Sequence, residues 1–185
     1  MGGERMRRRE MYSKSSSEQY TKLNYLQATG TQYIDTGIVC NLNNTFEITC
    51  SFDNIVTSGM YHGAITSSVI RCHTGIVKYY NKPAHQFEIN NVLQGDADTE
   101  IHTFIVNPED NMYITFWLFY RNSDGVSRSQ TYVIGKIYGL KVYSESQIIH
   151  NLVPVKRNSD GECGMYDLVS GAFFTNAGTG NFTGG

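Results

Sequence analysis

Residues 45–52 read TFEITCSF, and apolar and polar side chains alternate along the whole segment. Successive side chains of a strand point to opposite faces, so the apolar residues here share one face and the polar residues share the other. The apolar set is Phe46, Ile48, Cys50 and Phe52. Such a segment predicts a strand that is buried on one face only, which is typical of an antiparallel sheet.

Runs of strand character recur on both sides of this segment. They cover residues 32–38, 76–80, 86–89, 101–106, 112–120, 136–143 and 148–155. Turn-forming pairs and triplets separate them, such as Asn43-Asn44, Asn107-Pro108 and Ser159-Asp160-Gly161. Residues 144–147 are the one candidate for a short helical turn. At least eight closely spaced strands predict an all-β fold, a two-sheet antiparallel sandwich or jelly roll.

The first 22 residues differ from the remainder in charge and pattern. They carry six basic and three acidic residues, a net charge of +3, which leaves −5 for the rest of a chain whose total is −2. They also lack periodicity and contain a serine run, as linkers do. We therefore predict an extended N-terminal arm over residues 1–22 and a single β domain over residues 23–185.

Composition narrows the classes of function. The net charge of −2 argues against a general nucleic-acid binder, and no apolar stretch approaches the ~20 residues of a membrane span. The basic start is followed by Ser and Glu, unlike a secretory signal. The cysteines lie in or beside apolar runs without CxxC spacing, so we expect buried thiols, with a Cys40–Cys50 disulfide as the alternative. They are Cys40, Cys50, Cys72 and Cys163.

Several segments together resemble one known family. They are 25–37 (YLQATGTQYIDTG), 118–125 (LFYRNSDG), 135–143 (GKIYGLKVY), 152–155 (LVPV), 164–169 (GMYDLV) and 174–182 (FTNAGTGNF). Over about residues 23–182 the chain resembles the concanavalin A-like (laminin G-like) jelly-roll domains of tailed-phage and prophage structural proteins and of some gut-bacterial surface proteins. The resemblance implies a curved sandwich whose first and last segments pair at one edge. It also implies a role as a capsid decoration, head fibre or tail-fibre tip, and proteins of this kind often bind glycans. The resemblance identifies no catalytic residues.

The glycine-rich close of the chain fits that topology. Gly171, Gly178 and Gly180 are expected to turn the chain back against Tyr33 and Ile34, because glycine permits positive φ and close backbone approach.

Asp96, Asp98 and Glu100 place three carboxylates at alternate positions. On a strand they would line one face, and some glucanases of the same architecture use such a row as acid and nucleophile. The run directly follows Gly95, however, so we expect a solvated acidic turn. A calcium site is the other alternative, although the run lacks the glycine and distal glutamate of an EF-hand loop.

No other motif suggests chemistry. The histidines, His62, His73, His85, His102 and His150, stand singly, without HxH or HExxH spacing. GxSxG and P-loop signatures are absent. We therefore expect no enzyme, no metal and no cofactor.

Residues 112–120, MYITFWLFY, have apolar or aromatic side chains on both faces of a strand. If Ile114, Phe116 and Leu118 face the core, then Tyr113, Trp117 and Phe119 form an aromatic row on the other side. Such a row is a platform for sugar rings or a partner protein. The alternative is a central strand that loops or the arm cover on both faces.

The arm is expected to anchor the protein in an assembly. Its basic residues would pair with an acidic neighbouring protein and its apolar residues would pack there, because surface ion pairs alone contribute little. These residues are Met6, Arg7, Arg8, Arg9, Met11 and Tyr12. A contact with nucleic-acid phosphates and a solvated tail are the alternatives. We expect a multi-copy or homo-oligomeric virion protein whose candidate partners are other virion proteins, reached through the arm, and a host-surface glycan. The alternative is a carbohydrate-binding or adhesion domain at the bacterial cell surface, and a glycoside hydrolase comes third.

Overall fold

The computed structural model describes residues 19–53, 60–65, 71–79, 85–89, 92–96, 98–108, 111, 114–123 and 132–185. Tyr113 and the six arm residues from Met6 to Tyr12 that were predicted to anchor the chain lie outside these ranges. Among the described residues every regular element is a strand, and no helix is long and apolar enough to cross a membrane.

The strands form two sheets. The first contains β1 (Tyr20–Lys22), β2 (Leu26–Thr29), β4 (Asn44–Phe52), β9 (His102–Val106), β12 (Ile134–Ser144), β13 (Gln147–Arg157), β14 (Cys163–Asp167), β15 (Phe173–Phe174) and β16 (Thr183–Gly184). The second contains β3 (Ile34–Val39), β5 (Met60–Ile65), β6 (Arg71–Tyr79), β7 (His85–Ile89), β8 (Val92–Asp96), β10 (Thr115–Leu118) and β11 (Arg121–Ser123). All pairings in the described part are antiparallel except that of β11 with β5.

Strand β12 organises the first sheet. It pairs with β4 along one edge, and on the other edge with β13 in its second half and with β2 in its first half. Strands β9 and β14 extend the sheet beyond β4 and β13. Strand β16 pairs with β2, so the first and last segments of the described chain meet in one sheet, as the resemblance implied.

The buried face of β4 lies where the alternation predicted it. Phe46, Ile48, Cys50 and Phe52 are all buried, and the Phe46 ring stacks on Phe116 of the second sheet with centroids 4.5 Å apart. Burying one such side chain stabilises the fold by about 1.5–3 kcal/mol. The predicted all-β fold with two packed antiparallel sheets is therefore confirmed.

The boundary between arm and domain lies earlier than predicted. Tyr20 pairs with Arg157 of β13, and its ring packs on Tyr166 and Phe173 at 4.8 and 5.1 Å between centroids. Residues 20–22, assigned to the arm from sequence, therefore belong to the first sheet. Three residues are too few to show alternation, and the aromatic contacts that hold them are long-range.

The predicted helical turn at residues 144–147 is wrong. Ser144 pairs with Gln147 across a two-residue hairpin turn between β12 and β13. Glu145, the first turn residue, has φ +56°, the left-handed conformation that tight hairpin turns require. The sequence does not predict this turn, because glycine or asparagine usually occupies such a position and glutamate does not.

Residues 175–182, which we call the strap, return to the start of β3. Ala177 N donates to Tyr33 O at 2.8 Å and Thr179 N donates to Thr31 O at 3.1 Å. A Cβ atom on Gly178 would lie 2.2 Å from Thr31 O, so only glycine fits there. The predicted return against Tyr33 is confirmed for the strap, but Gly171 instead shapes the β14–β15 turn with φ +77°.

The described thiols are free. Cys40 and Cys50 are buried, Cys163 is half-buried, and the alternative Cys40–Cys50 disulfide is not formed. Burial raises the pKa of Cys50, which keeps the thiol protonated and inert. The side chain of Cys72 is outside the described part.

Candidate functional site

Strand β10 carries the central part of the predicted aromatic row. It lies between β3 and β5, with the fully buried Phe116 and Leu118 in the core. Trp117 has the opposite parity and pairs with Asp35 of β3, so it points to the outer face of the second sheet. The predicted division of faces is correct for these three residues of the strand.

Trp117 is nevertheless only 5% exposed. Tyr33 stacks on its indole with 4.6 Å between ring centroids and 28° between planes, and Tyr120 lies 6.0 Å away. The expectation that Trp117 is itself an exposed platform is therefore wrong. Tyr33 comes from a segment far away in sequence, so the alternation of residues 112–120 could not reveal this cover.

Phe119 does not continue the row. The strand ends at Leu118, and Phe119 has φ +63°, a left-handed conformation that costs of order 1–3 kcal/mol for a bulky residue. Its backbone oxygen accepts a hydrogen bond from Val133 N at 2.8 Å. The reversal sends its ring into the core, 0% exposed and 5.2 Å from Phe182. The predicted outward orientation of Phe119 is wrong.

Four aromatic residues form what we call the Tyr–Trp cluster. Tyr33 contacts Trp117 and Tyr120, and Tyr120 contacts Tyr132 with centroids 4.2 Å apart. Trp117 and Tyr120 are buried, whereas Tyr33 and Tyr132 are half-buried. The surface of the cluster is therefore two tyrosine rings that rest on a buried aromatic layer. The alternation of residues 112–120 predicts Trp117 as part of this surface but not the tyrosines, which have no common spacing.

A chain of hydrogen bonds fixes the outer face beside the cluster. Trp117 Nε1 donates to Thr115 Oγ1 at 3.1 Å, and that hydroxyl donates to Asp35 Oδ1 at 2.7 Å. Gly37 N donates to the same carboxylate oxygen at 3.0 Å, and Asn122 Nδ2 donates to Thr115 O at 2.9 Å. Asp35 is thus held in position through one oxygen while its side chain stays exposed.

The electrostatics of the cluster keep Tyr33 protonated. Burial raises the pKa of Tyr33, and the nearby Tyr132, Asp35 and Tyr120 raise it further. A phenol with a raised pKa stays neutral at physiological pH and can both donate and accept a hydrogen bond.

A second polar region surrounds the β13–β14 turn. An open cleft of about 540 Å³ lies between this turn and the strap, and its lining includes Glu162, Asn181 and Thr183. Arg157 binds Asp160 through two nitrogens and also contacts Glu162, while its guanidinium lies 4.9 Å from the Phe173 ring centroid. Hydrogen bonding to Arg157 lowers the pKa of Asp160. These charges satisfy one another, and Gly161 has the φ of +78° that the turn needs.

The Asp96 to Glu100 run does not line one strand. Strand β8 ends at Asp96 and β9 begins at His102, so Asp98 and Glu100 lie in the exposed connection, as the expected solvated turn requires. Asp98 Oδ1 lies 2.6 Å from His102 Nε2 and accepts a hydrogen bond from Glu100 N at 2.9 Å. The hydrogen bond with His102 lowers the pKa of Asp98. The side chain of Asp96 is outside the described part.

A buried carboxylate closes the β14–β15 turn. Asp167 accepts hydrogen bonds from Asn151 N, Val169 N and Ser170 Oγ at 2.7–3.0 Å, and His150 Nδ1 lies 2.8 Å from its second oxygen. Burial would raise the pKa of Asp167, but the hydrogen bonds outweigh that effect and lower it to about 2. Since Ser170 points to Asp167 and not to His150, the arrangement holds a turn and does not activate a nucleophile.

Among the residues that the structure describes, no group of three histidine, cysteine or acidic side chains is placed to hold a metal ion. No protein-family model, no curated protein and no solved structure matches the chain.

Proposed function

We propose that this chain is a non-enzymatic attachment and recognition module of a tailed-phage virion, a capsid decoration, head fibre or tail-fibre component. Its β sandwich would be a concanavalin A-like jelly roll, held in the particle by the arm and present in many copies. The virion assignment rests on the six sequence segments that resemble phage structural proteins, and the two-sheet fold is consistent with it.

The observation that carries the recognition role is the contrast between two kinds of surface. Three of the described carboxylates are engaged within the fold: Asp167 with the β14–β15 turn, Asp160 with Arg157, and Asp98 with His102. The Tyr–Trp cluster, in contrast, leaves two aromatic rings half-exposed over a fixed base. Half-exposed tyrosines combine an apolar face with a polar tip, which suits binding.

The arm would enter the domain through a strand and not through a free linker. Strand β1 is hydrogen-bonded to β13 and its Tyr20 ring packs on the sheet, so a load on the arm is transferred to the body of the domain. Fixing the arm costs roughly 1–2 kcal/mol per residue, which a groove on a neighbouring virion protein would have to offset.

Copy number in purified particles tests this proposal. Particles released by a culture that carries the gene should contain the full-length chain at a fixed, multiple copy number, measured by quantitative mass spectrometry. A chain without residues 2–18, which keeps β1, should be lost from the particles. A Tyr132→Leu chain, altered only in the cluster, should still be incorporated.

Two results would contradict the assignment. If the truncated chain reaches full occupancy, the sandwich and not the arm makes the attachment. If the full-length chain sediments with cell envelopes and not with particles, the second candidate, a bacterial surface adhesion or carbohydrate-binding domain, replaces the first. The half-exposed Tyr–Trp cluster supports both candidates equally, because the same aromatic surface could bind a ligand on a virion or on a bacterial cell.

A further inference from the structure

We propose that the outer side of the Tyr–Trp cluster binds a neutral sugar ring, which packs on Tyr33 and Tyr132 and hydrogen-bonds to Asp35. The inference deepens the recognition role proposed above and rests on it.

The two half-exposed rings of the cluster are pre-organised by their neighbours. Tyr33 cannot swing freely, since Trp117 stacks on one side of it at 4.6 Å and Gly178 of the strap approaches its ring. Tyr132 rests on the fully buried Tyr120. Both exposed rings are therefore ordered before a ligand arrives, so binding does not require the entropy loss of immobilising them.

Several polar groups beside these rings have hydrogen-bonding capacity that the described part of the fold does not use. Asp35 uses Oδ1 for Thr115 and Gly37, whereas Oδ2 receives no hydrogen bond from the described residues. The hydroxyls of Tyr33 and Tyr132 likewise have no hydrogen-bond partner among those residues. A carboxylate oxygen accepts and two phenols both accept and donate, which matches the alternating donors and acceptors of sugar hydroxyls.

The shape and the charge of the cluster fit a sugar ring better than other amphipathic ligands. A pyranose has an apolar C–H face that packs on an aromatic ring and a polar edge that reaches adjacent hydrogen-bonding groups. The cluster offers both features side by side, on Tyr33 and Asp35. The only charge among its described side chains is the Asp35 carboxylate, so acidic sugars should be repelled and neutral ones accepted.

The single tryptophan of the chain is a built-in reporter, because Trp117 stacks directly on Tyr33. The full-length chain would be titrated with methyl glycosides and disaccharides of glucose, galactose and N-acetylglucosamine, with glucuronate and sialyllactose as acidic probes. At least one neutral probe should change Trp117 emission saturably, and isothermal titration calorimetry should give the same Kd. Acidic probes should bind more weakly.

Variants separate this site from any other. Tyr132→Leu and Tyr33→Leu should weaken binding about tenfold or more by calorimetry, because each removes a ring face and a hydroxyl. Tyr138→Leu is the matched control, since Tyr138 is a half-buried tyrosine of the first sheet that contacts Tyr25, and it should bind as the unmodified chain does. Asp35→Asn should weaken the binding of neutral sugars and should reduce the preference for neutral sugars over glucuronate.

Three results would overturn the inference: no probe changes Trp117 emission, acidic probes bind best, or Tyr138→Leu weakens binding as much as Tyr132→Leu. Incorporation into particles is measured separately and does not depend on these three results. Failure of the sugar site is therefore distinguishable from failure of the proposed virion role. Circular dichroism and melting of every variant would show that a loss of binding is not a loss of fold.

Discussion

Gly178 of the strap is the position where one added methyl group should destabilise the fold most clearly. In Gly178→Ala the new Cβ would lie 2.2 Å from the backbone oxygen of Thr31 and 3.1 Å from a ring carbon of Tyr33. A backbone oxygen cannot rotate away as a side chain can. The strap must therefore move outward by about 1 Å, since packed interiors leave no space for the methyl group.

The expected loss follows from the hydrogen bonds that hold the strap against β3. Ala177 N, Thr179 N and Thr31 Oγ1 donate across this contact, and Asn176 Oδ1 accepts from Tyr33 N, at distances of 2.8–3.1 Å. Each contributes about 1 kcal/mol net, so displacement should lower the free energy of unfolding by about 3–4 kcal/mol. For a chain of this length, that corresponds to a Tm lower by about 10 °C.

Gly139→Ala provides the control. The nearest atom to its added Cβ is Leu152 O at 3.6 Å, an ordinary contact, and Gly139 does not have positive φ. We expect its Tm to stay within about 2 °C of the unmodified chain or to rise slightly, because glycine inside a strand is unfavourable. Calorimetric melting and urea unfolding of the three proteins measure both effects. If Gly178→Ala melts like the control, the strap does not hold the fold in the way described.

Three further predictions concern other parts of the molecule. The pKa of Asp167 is about 2 in the folded chain and near 4 in the unfolded chain, so ionised Asp167 stabilises the fold above pH 4 and this contribution is lost as the pH falls toward 2. In urea unfolding, Asp167→Asn should therefore lower the free energy of unfolding by roughly 2 kcal/mol at pH 7 and by much less at pH 2. An equal loss at both pH values would contradict the role given to these hydrogen bonds. Deleting residues 2–18 should leave Tm nearly unchanged, whereas deleting residues 2–22 also removes β1 and should lower it by several degrees; equal melting would mean that β1 contributes nothing. Replacing Asp98 by Asn and Glu100 by Gln, or adding EDTA to the unmodified chain, should leave Tm nearly unchanged, because exposed pairs contribute little; a large fall with EDTA would indicate a bound cation.

The sequence predicted those features that depend on neighbouring residues alone. The alternation around Phe46 predicted the buried face of β4, and the parity of residue 117 placed Trp117 on the outer face. Features that depend on distant partners were missed. Tyr20 becomes a strand residue because of Tyr166 and Phe173, and Trp117 is covered because the strap and β3 bring Tyr33 onto it.

Local backbone reversals were missed for a different reason. Phe119 and Glu145 both have positive φ, yet neither is a residue type that favours it. At Phe119, burial against Phe182 offsets the strain, and at Glu145 the adjoining β12–β13 pairing fixes the turn. The residue type does not indicate such a position. The alternation of residues 112–120 therefore predicts an aromatic row that includes Phe119, whereas the strand ends at Leu118.

The place of β16 in the first sheet bears on how the chain folds during synthesis. Strand β2 is among the first strands to leave the ribosome, but it pairs with β12 and with β16. Gln27 can pair with Lys136 of β12 first, but its second partner, Thr183, follows much later in the chain, and at about 5–20 residues per second that delay after Gln27 lasts roughly 10–30 s. Until then the edge of β2 that β16 covers stays unpaired, and an unpaired strand edge is a template for pairing with another chain.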